Sequence, residues 1–155
     1  MSAEHLMGRV LVDTNVLIYA TLAGDDRHEQ ARDVLDLRFR EGLELCVSVQ
    51  NLAEMYPNLT GPKNNPPDSP ELARTKIDSI AGLDFLTVLP LSLSITRRAL
   101  RLCETYSIRR QQYFDMQLVG TMLEEGISFL LTEKVKDFKP IKGIRAINPF
   151  TTVIS

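Results

Sequence analysis

Short apolar runs alternate with amphipathic stretches along this chain. The apolar runs have the length of β-strands and lie at 10–12, 45–49, 85–89, 127–131 and 144–147. Their continuous apolar character is typical of strands covered on both faces. Helical periodicity and helix start or stop signals predict helices at 16–22, 25–42, 50–56, 70–82, 95–106 and 113–126. The pattern therefore predicts an α/β fold, a three-layer α/β/α sandwich around a mostly parallel sheet.

For two stretches the sequence predicts which residues are buried and which are exposed. In the helix predicted at 25–42, the residues expected to face the core are Ala31, Val34, Leu35 and Phe39. The stretch 57–70 contains five prolines, Gly61 and adjacent asparagines at 64 and 65, which predicts an exposed loop. The tail after residue 147 shows no signal for a further element.

Asp13 stands where the first apolar run ends and the first helix begins. In an open parallel sheet, the carboxyl ends of the strands form the edge at which ligands bind. Asp is also a good helix N-cap. The sequence around Asp13 therefore leaves two interpretations, a capping residue or an acid of a functional site.

Further acids stand at comparable positions. The polar turn 132–137 follows the fourth strand and lies at the same sheet edge as Asp13. Asp115 falls in the first turn of a predicted helix, where it acts either as a cap or as a second site acid. Glu54 lies on the helix after the second strand, and that segment alone favours a solvated glutamate. His28, with no second histidine nearby, is interpreted as a surface or packing residue.

Composition limits the classes of function. At 155 residues, with 44% hydrophobic and 25% charged residues, the sequence fits one globular domain over 1–155. The net charge of −2 argues against a polybasic nucleic-acid binder, but not against an enzyme that meets a polyanion through bound metal. Cys46 and Cys103 lack metal-ligand spacing, as expected for reduced thiols. No secretion signal or membrane span is visible, so a cytoplasmic location is expected.

One cluster of basic residues is apparent. It consists of Arg97, Arg98, Arg101, Arg109 and Arg110, on and just after the helix at 95–106. Contact with a phosphate backbone is one interpretation, but charges on the outer face of a helix are more often only solvated.

Four short polar motifs follow one another at plausible spacing. They are Asp13-Thr14-Asn15-Val16-Leu17, Gln50-Asn51-Leu52-Ala53-Glu54, Tyr113-Phe114-Asp115-Met116 and Thr132-Glu133-Lys134-Val135-Lys136-Asp137-Phe138. In this order they resemble the motifs of the PIN domain family, and specifically of the VapC-type toxin ribonucleases. Asn148-Pro149-Phe150 resembles a common ending of that family. Each motif alone is weak, but four in order are specific, and the resemblance covers the whole chain.

The resemblance implies a function for the acids. It implies a five-stranded parallel sheet with a cleft in which Asp13 and Asp115 are the principal ligands of Mg²⁺ or Mn²⁺, and in which Glu54 completes or tunes the site. Hard divalent cations take oxygen ligands, and without metal such neighbouring carboxylates would repel one another. The family further implies a homodimer, inhibited by a small antitoxin protein that fills the groove.

The fourth motif departs from the family pattern. Family members often carry Asp or Asn where this chain has Lys134, and an ammonium group cannot ligate a metal. Asp137 is then the candidate for the fourth acid, with Glu133 as a substitute, or the site uses three acids. Lys134 would neutralise the carboxylates, hold the scissile phosphate or mark weakened activity.

Three functions are compatible with these features. The first is a metal-dependent endoribonuclease acting as the toxin of a toxin–antitoxin pair. The second, prompted by Lys134, is a weakly active or inactive PIN scaffold that binds RNA or protein. The third is a phosphoacceptor receiver domain, which is disfavoured because no aspartate ends the third strand, Phe85-Leu86-Thr87-Val88-Leu89.

Overall fold

The structure, a computed structural model, describes residues 2–154, with side chains described from His5 onward. The strands are β1 (Ser2–Glu4), β2 (Gly8–Val12), β3 (Leu43–Ser48), β4 (Leu86–Leu89), β5 (Phe129–Leu131), β6 (Arg145–Ile147) and β7 (Thr152–Ile154). The α-helices are α1 (Thr14–Ala20), α2 (His28–Asp36), α3 (Val49–Thr60), α4 (Pro70–Ala81), α5 (Leu93–Tyr106), α6 (Tyr113–Glu124) and α7 (Val135–Phe138). Short 3₁₀ turns follow α2 at Leu37–Phe39 and precede α6 at Arg110–Gln112.

Five parallel strands form the central sheet in the order β4-β3-β2-β5-β6. The chain moves outward from β2 in one direction through β3 and β4, and in the other through β5 and β6. The order therefore reverses between β2 and β5, which is the point where open α/β sheets bind their ligands. Asp13 follows β2 and Thr132 follows β5, so both lie at this point.

Helices cover both faces of the sheet. Val10 and Val12 of β2 pack with residues of α1 to α4, whereas Leu11 between them packs with residues of α5, α6 and α7. All three side chains have no exposed surface. Burial on both faces explains why the strands have continuous apolar sequences, and it confirms the predicted three-layer sandwich. In the part of the chain that the structure describes, no helix is long and apolar enough to cross a membrane.

The predicted loop at 57–70 begins too early, because α3 continues through Pro57 to Thr60. Pro57 removes one helical hydrogen bond, but Met55 and Leu59, one turn apart, are both fully buried and keep the last turn on the core. Asn58 Nδ2 also donates to the Glu54 carbonyl oxygen at 2.8 Å. The proline-rich loop is therefore shorter than predicted and covers residues 61–69.

The helix predicted at 25–42 is also too long. It begins at His28 and ends at Asp36. Phe39 lies in the 3₁₀ turn that follows and is 76% exposed, so its expected place in the core is wrong. The Arg38 guanidinium lies over its ring, 4.4 Å from the ring centroid. Because helical periodicity does not stop at a 3₁₀ turn, the pattern alone does not reveal this boundary.

The tail is more ordered than its sequence indicates. Within the residues described, β7 pairs in parallel with β1 and forms a second, two-stranded sheet. The pair joins segments from the two ends of the chain, so neither segment carries a local signal for it.

Helices α5 and α6 approach closely at Gly120, next to Ala99, which has no exposed surface. A Cβ atom at Gly120 would lie 3.0 Å from the Ile95 carbonyl oxygen and 3.5 Å from the Ala99 nitrogen. The absence of a side chain at Gly120 therefore allows α6 to lie this close to α5.

Replacing Gly120 with Val is expected to force α5 and α6 apart and to lower the free energy of unfolding by about 2 kcal/mol. Gly24 is the matched control, because a Cβ atom there would meet nothing within 4 Å. We expect Gly24→Val to change stability by less than about 0.5 kcal/mol in the same urea titration. Equal midpoints for the two variants would contradict this account of the contact.

Candidate functional site

Asp13 is a buried carboxylate held by four donors. Its residue is 4% exposed. Oδ1 accepts hydrogen bonds from the Thr14 backbone N–H at 2.7 Å and from Asn51 Nδ2 at 3.2 Å. Oδ2 accepts from Thr132 Oγ1 at 2.7 Å and from Asn15 Nδ2 at 3.4 Å. Asp13 is the N-cap of α1 and also lines an open cleft, so the two interpretations of this residue are compatible.

Asn51 reaches Asp13 because a capping box fixes it at the start of α3. The Ser48 hydroxyl accepts from the Asn51 backbone N–H at 3.1 Å, and Asn51 Oδ1 accepts from the Ser48 backbone N–H at 3.0 Å. With its oxygen engaged, the Asn51 amide nitrogen donates to Asp13 and, at 3.3 Å, to Thr14 Oγ1. Asn51 belongs to the second of the four motifs, but its role as a hydrogen-bond donor to Asp13 was not predicted. The available signal was Ser48, three residues before Asn51.

Thr132 is the second residue whose role was missed. It is fully buried, and its hydroxyl donates to Asp13 while it accepts from the Lys134 backbone N–H at 3.0 Å. One hydroxyl thus connects the first acidic motif to the turn that carries Lys134.

Glu54 lies half-buried on α3 and is connected to α6 by side-chain amides. Gln50 Nε2 donates to Glu54 Oε1 at 2.7 Å and to the Phe114 carbonyl oxygen at 2.7 Å. Gln117 Nε2 donates in turn to Gln50 Oε1 at 3.1 Å. This chain of amides holds the second acidic motif beside the third.

Asp115 lies in the first turn of α6 and forms an ion pair with Lys134. Lys134 Nζ is 3.0 Å from Asp115 Oδ1, and the side chains are 48% and 16% exposed, respectively. The fourth motif therefore brings a cation, rather than an acid, against the third. Asp137, on α7, is exposed and lines the same groove as Glu54 and Asp115.

The site lies where two open depressions meet. The first contains Asp13 and has the loop residue Lys63 on its wall. The second contains Asp115 and Asp137. Glu54 and Lys134 border both, so together the depressions form a continuous groove past the acids, which we call the acidic groove.

Glu133 is engaged by other residues. Its Oε2 accepts from the Tyr19 hydroxyl at 2.9 Å and its Oε1 from Arg27 Nη1 at 2.8 Å. Burial and Glu133 together raise the pKa of Tyr19 to about 12, which keeps the phenol protonated as the donor. Glu133 therefore connects Tyr19 and Arg27 at the wall of the groove.

His28 has a structural role, because its Nδ1 lies within hydrogen-bond distance, 2.8 Å, of the Tyr19 carbonyl oxygen.

Burial opposes ionisation of two of the acids. It raises the pKa of Asp13 above its ordinary value, although the Thr132 hydroxyl and the charge of Lys134 act in the opposite direction. It also raises the pKa of Glu54, against the hydrogen bond from Gln50, and the charge of Asp13 adds to the increase. The acids therefore act on one another electrostatically.

The acid oxygens have the chemistry that Mg²⁺ or Mn²⁺ prefers. Among the described residues, however, no three His, Cys, Asp or Glu side chains form a group that could hold a metal ion as they stand. The carboxylate oxygens therefore fit a hard cation in their chemistry, but the ammonium of Lys134 already pairs with one of them, Asp115 Oδ1.

Replacing Asp13 with Asn removes a buried charge but also the acceptor for two of its four donors, so the expected effect is on pH dependence: relative to the unmodified chain, the variant should gain about 1 kcal/mol of stability between about pH 4 and pH 7. The folded pKa of Asp13 lies above the unfolded value, so the folded state binds more protons and stability falls as pH rises through that interval. The gain should therefore shrink as pH is lowered toward about 4. Urea unfolding at several pH values measures it, with Asp84→Asn on the surface as the control. A gain that does not vary with pH would contradict this origin.

The fold is similar to those of solved toxin–antitoxin proteins. VapBC2 from Rickettsia felis, bound to a DNA fragment from its promoter, is 20% identical with a TM-score of 0.63 over 90% of this chain and 98% of that chain. A toxin–antitoxin complex from Klebsiella pneumoniae is 19% identical with a TM-score of 0.61 over 90% and 97%. VapC20 of Mycobacterium tuberculosis, a sarcin–ricin loop cleaving toxin, is 16% identical with a TM-score of 0.67 over 84% and 94%.

Sequence comparison assigns the family. No curated protein matches this chain. The family model of the PIN domain matches residues 10–139, a range that includes all four quoted motifs. Since this is more than half of the 155 residues, the chain belongs to the PIN domain family.

Proposed function

We propose that this protein is a divalent-metal-dependent endoribonuclease that hydrolyses RNA phosphodiester bonds, with 1–155 acting as one nuclease domain. The observation that carries the proposal is the meeting of Asp13, Glu54 and Asp115 along one groove, from three different elements. Carboxylates that lie close together in a partly buried site repel one another, and a bound cation would offset this repulsion.

We assign the metal, Mg²⁺ or Mn²⁺, to Asp13 and Asp115, with Glu54 completing the site. When bound, such a metal supplies charge stabilisation for the phosphate and lowers the pKa of water. Asp13 contributes a carboxylate whose orientation is fixed by Thr132 and Asn51 before any ligand arrives.

Glu54 is the candidate proton acceptor. Its Oε1 accepts a hydrogen bond from Gln50, and burial raises its pKa, which suits a group that takes a proton from the attacking water. Asp137 supplies a further carboxylate along the groove.

The walls of the acidic groove suit a single-stranded nucleic acid. Phe114 and Leu91 are 50% and 41% exposed beside Asp115, and an exposed aromatic ring offers a surface on which a base stacks. Lys63 stands on the other side with a charge that a phosphate would attract.

Asp13→Asn and Asp115→Asn should each lower RNA cleavage by about 100-fold or more, because each removes a charge that the metal and the transition state require. The measurement is cleavage of a panel of labelled RNAs with Mn²⁺ or Mg²⁺, with chelator added in parallel. Asp84→Asn is the matched surface control, and circular dichroism checks folding. Undiminished cleavage by Asp13→Asn would reject the mechanism.

We further propose that the protein is the toxin of a type II pair, a homodimer in the cytoplasm that a small antitoxin inhibits. The support is the likeness to the toxin–antitoxin complex from Klebsiella pneumoniae and to the toxin VapC20. Light scattering should give twice the 17.5 kDa mass of the chain. A short reading frame directly upstream should encode a protein that co-purifies with it and stops cleavage. A monomer, or cleavage that the upstream product leaves unchanged, would reject this role.

The second candidate is a PIN scaffold that binds RNA or protein with little or no cleavage. The ion pair between Lys134 and Asp115 favours it, because it occupies an acid that the enzyme would need. Nuclease-free protein that binds RNA in a mobility-shift assay but cuts none of the panel would support the scaffold over the enzyme.

A further inference from the structure

Lys134 is directed into the acidic groove by its backbone. Its N–H donates to Thr132 Oγ1 at 3.0 Å, and the same hydroxyl donates to Asp13 at 2.7 Å. The residue therefore starts from an anchored position at the N-cap of α7. From there its side chain reaches Asp115 on a different helix.

Lys134 lies beside all three candidate acids. Its ammonium contacts Asp115 Oδ1 at 3.0 Å, and the residue borders the depression that contains Asp13 and Glu54. Phe138, with its ring centroid 5.9 Å from Nζ, flanks the ammonium. Lys134 thus partly neutralises a group of carboxylates that would otherwise repel one another.

A lysine ammonium and a divalent cation compete for the same lone pairs. A metal that binds Asp115 Oδ1 would meet the Lys134 ammonium, whose Nζ lies 3.0 Å from that atom, and the two positive charges repel at short range. An Asp or Asn at position 134 would bring no ammonium group, so neither the competition for lone pairs nor the charge repulsion would arise.

We propose that Lys134 is an internal counter-cation that competes with divalent metal for Asp115 and so weakens metal binding at the acidic groove. This inference rests on the proposed function, in which Asp13 and Asp115 hold the metal. Its consequence is an acidic groove in which Asp115 stays paired with Lys134 at low metal concentration and becomes available to the metal only when the metal concentration rises.

The test is titration of Mn²⁺ into the purified full-length chain by isothermal calorimetry at fixed ionic strength. Lys134→Met keeps the length of the side chain and removes the charge, so it should bind Mn²⁺ about tenfold more tightly or better. Lys134→Arg keeps a cation that pairs with carboxylate and should stay within about threefold of the unmodified chain.

Lys136→Met is the matched control. Lys136 is an exposed lysine on the same short helix, and its replacement changes the net charge by the same amount. We expect its affinity for Mn²⁺ to change by less than about twofold, because solvent and salt screen an exposed charge. Thermal melting shows that each variant is folded.

A double variant identifies the oxygen for which the cations compete. If Lys134 acts through Asp115, the gain from Lys134→Met should disappear in an Asp115→Asn background. A gain of equal size in both backgrounds would overturn the assignment to Asp115.

The outcomes separate this inference from the proposed function. If the unmodified chain binds Mn²⁺, binds it more weakly but still measurably in Asp115→Asn, and is unaffected by Lys134→Met, competition is wrong and the metal site stands. If neither the unmodified chain nor Lys134→Met binds Mn²⁺ at millimolar concentration, the inference and the metal-dependent mechanism both fail.

Discussion

The buried carboxylate of Asp13 is the constraint on which the site depends. A charge that is 4% exposed is tolerated only when its oxygens are hydrogen-bonded, and the donors come from three separate parts of the chain. They are the start of α1, the capping box of α3 through Asn51, and the end of β5 through Thr132. Because β2 lies between β3 and β5, the residues that follow these two strands bring their donors to the carboxylate at the end of β2. The strand order therefore determines where the site lies.

The remaining acids reach the acidic groove through helix packing. Asp115 is carried by α6, whose position depends on the close approach at Gly120 and on the amide contact between Gln117 and Gln50. This arrangement sets Asp115 opposite Lys134. The groove therefore contains a lysine ammonium as well as carboxylates, which is the basis for both of our functional candidates.

Local sequence was informative wherever a residue's environment depends on its immediate neighbours. The apolar runs identified the strands of the main sheet, and helix start signals identified the start of α4 at residue 70, because caps and continuous burial are local properties. Predictions from local sequence were wrong where tertiary contacts override local preference. Burial of Leu59 carries α3 through Pro57, Phe39 lies outside the core, and β7 pairs with a strand at the other end of the chain.

Local patterns were sufficient to predict the layered α/β architecture, the position of Asp13 at a strand end and the order of the four motifs, because hydrophobic period and motif spacing are properties of the linear chain. Which residues meet in space became visible in the fold. It showed that Asn51 and Thr132 hold Asp13, that Glu133 pairs with Arg27 and that Lys134 pairs with Asp115. These contacts join residues up to 119 positions apart. Their geometry follows from strand order and helix packing, which no local pattern specifies.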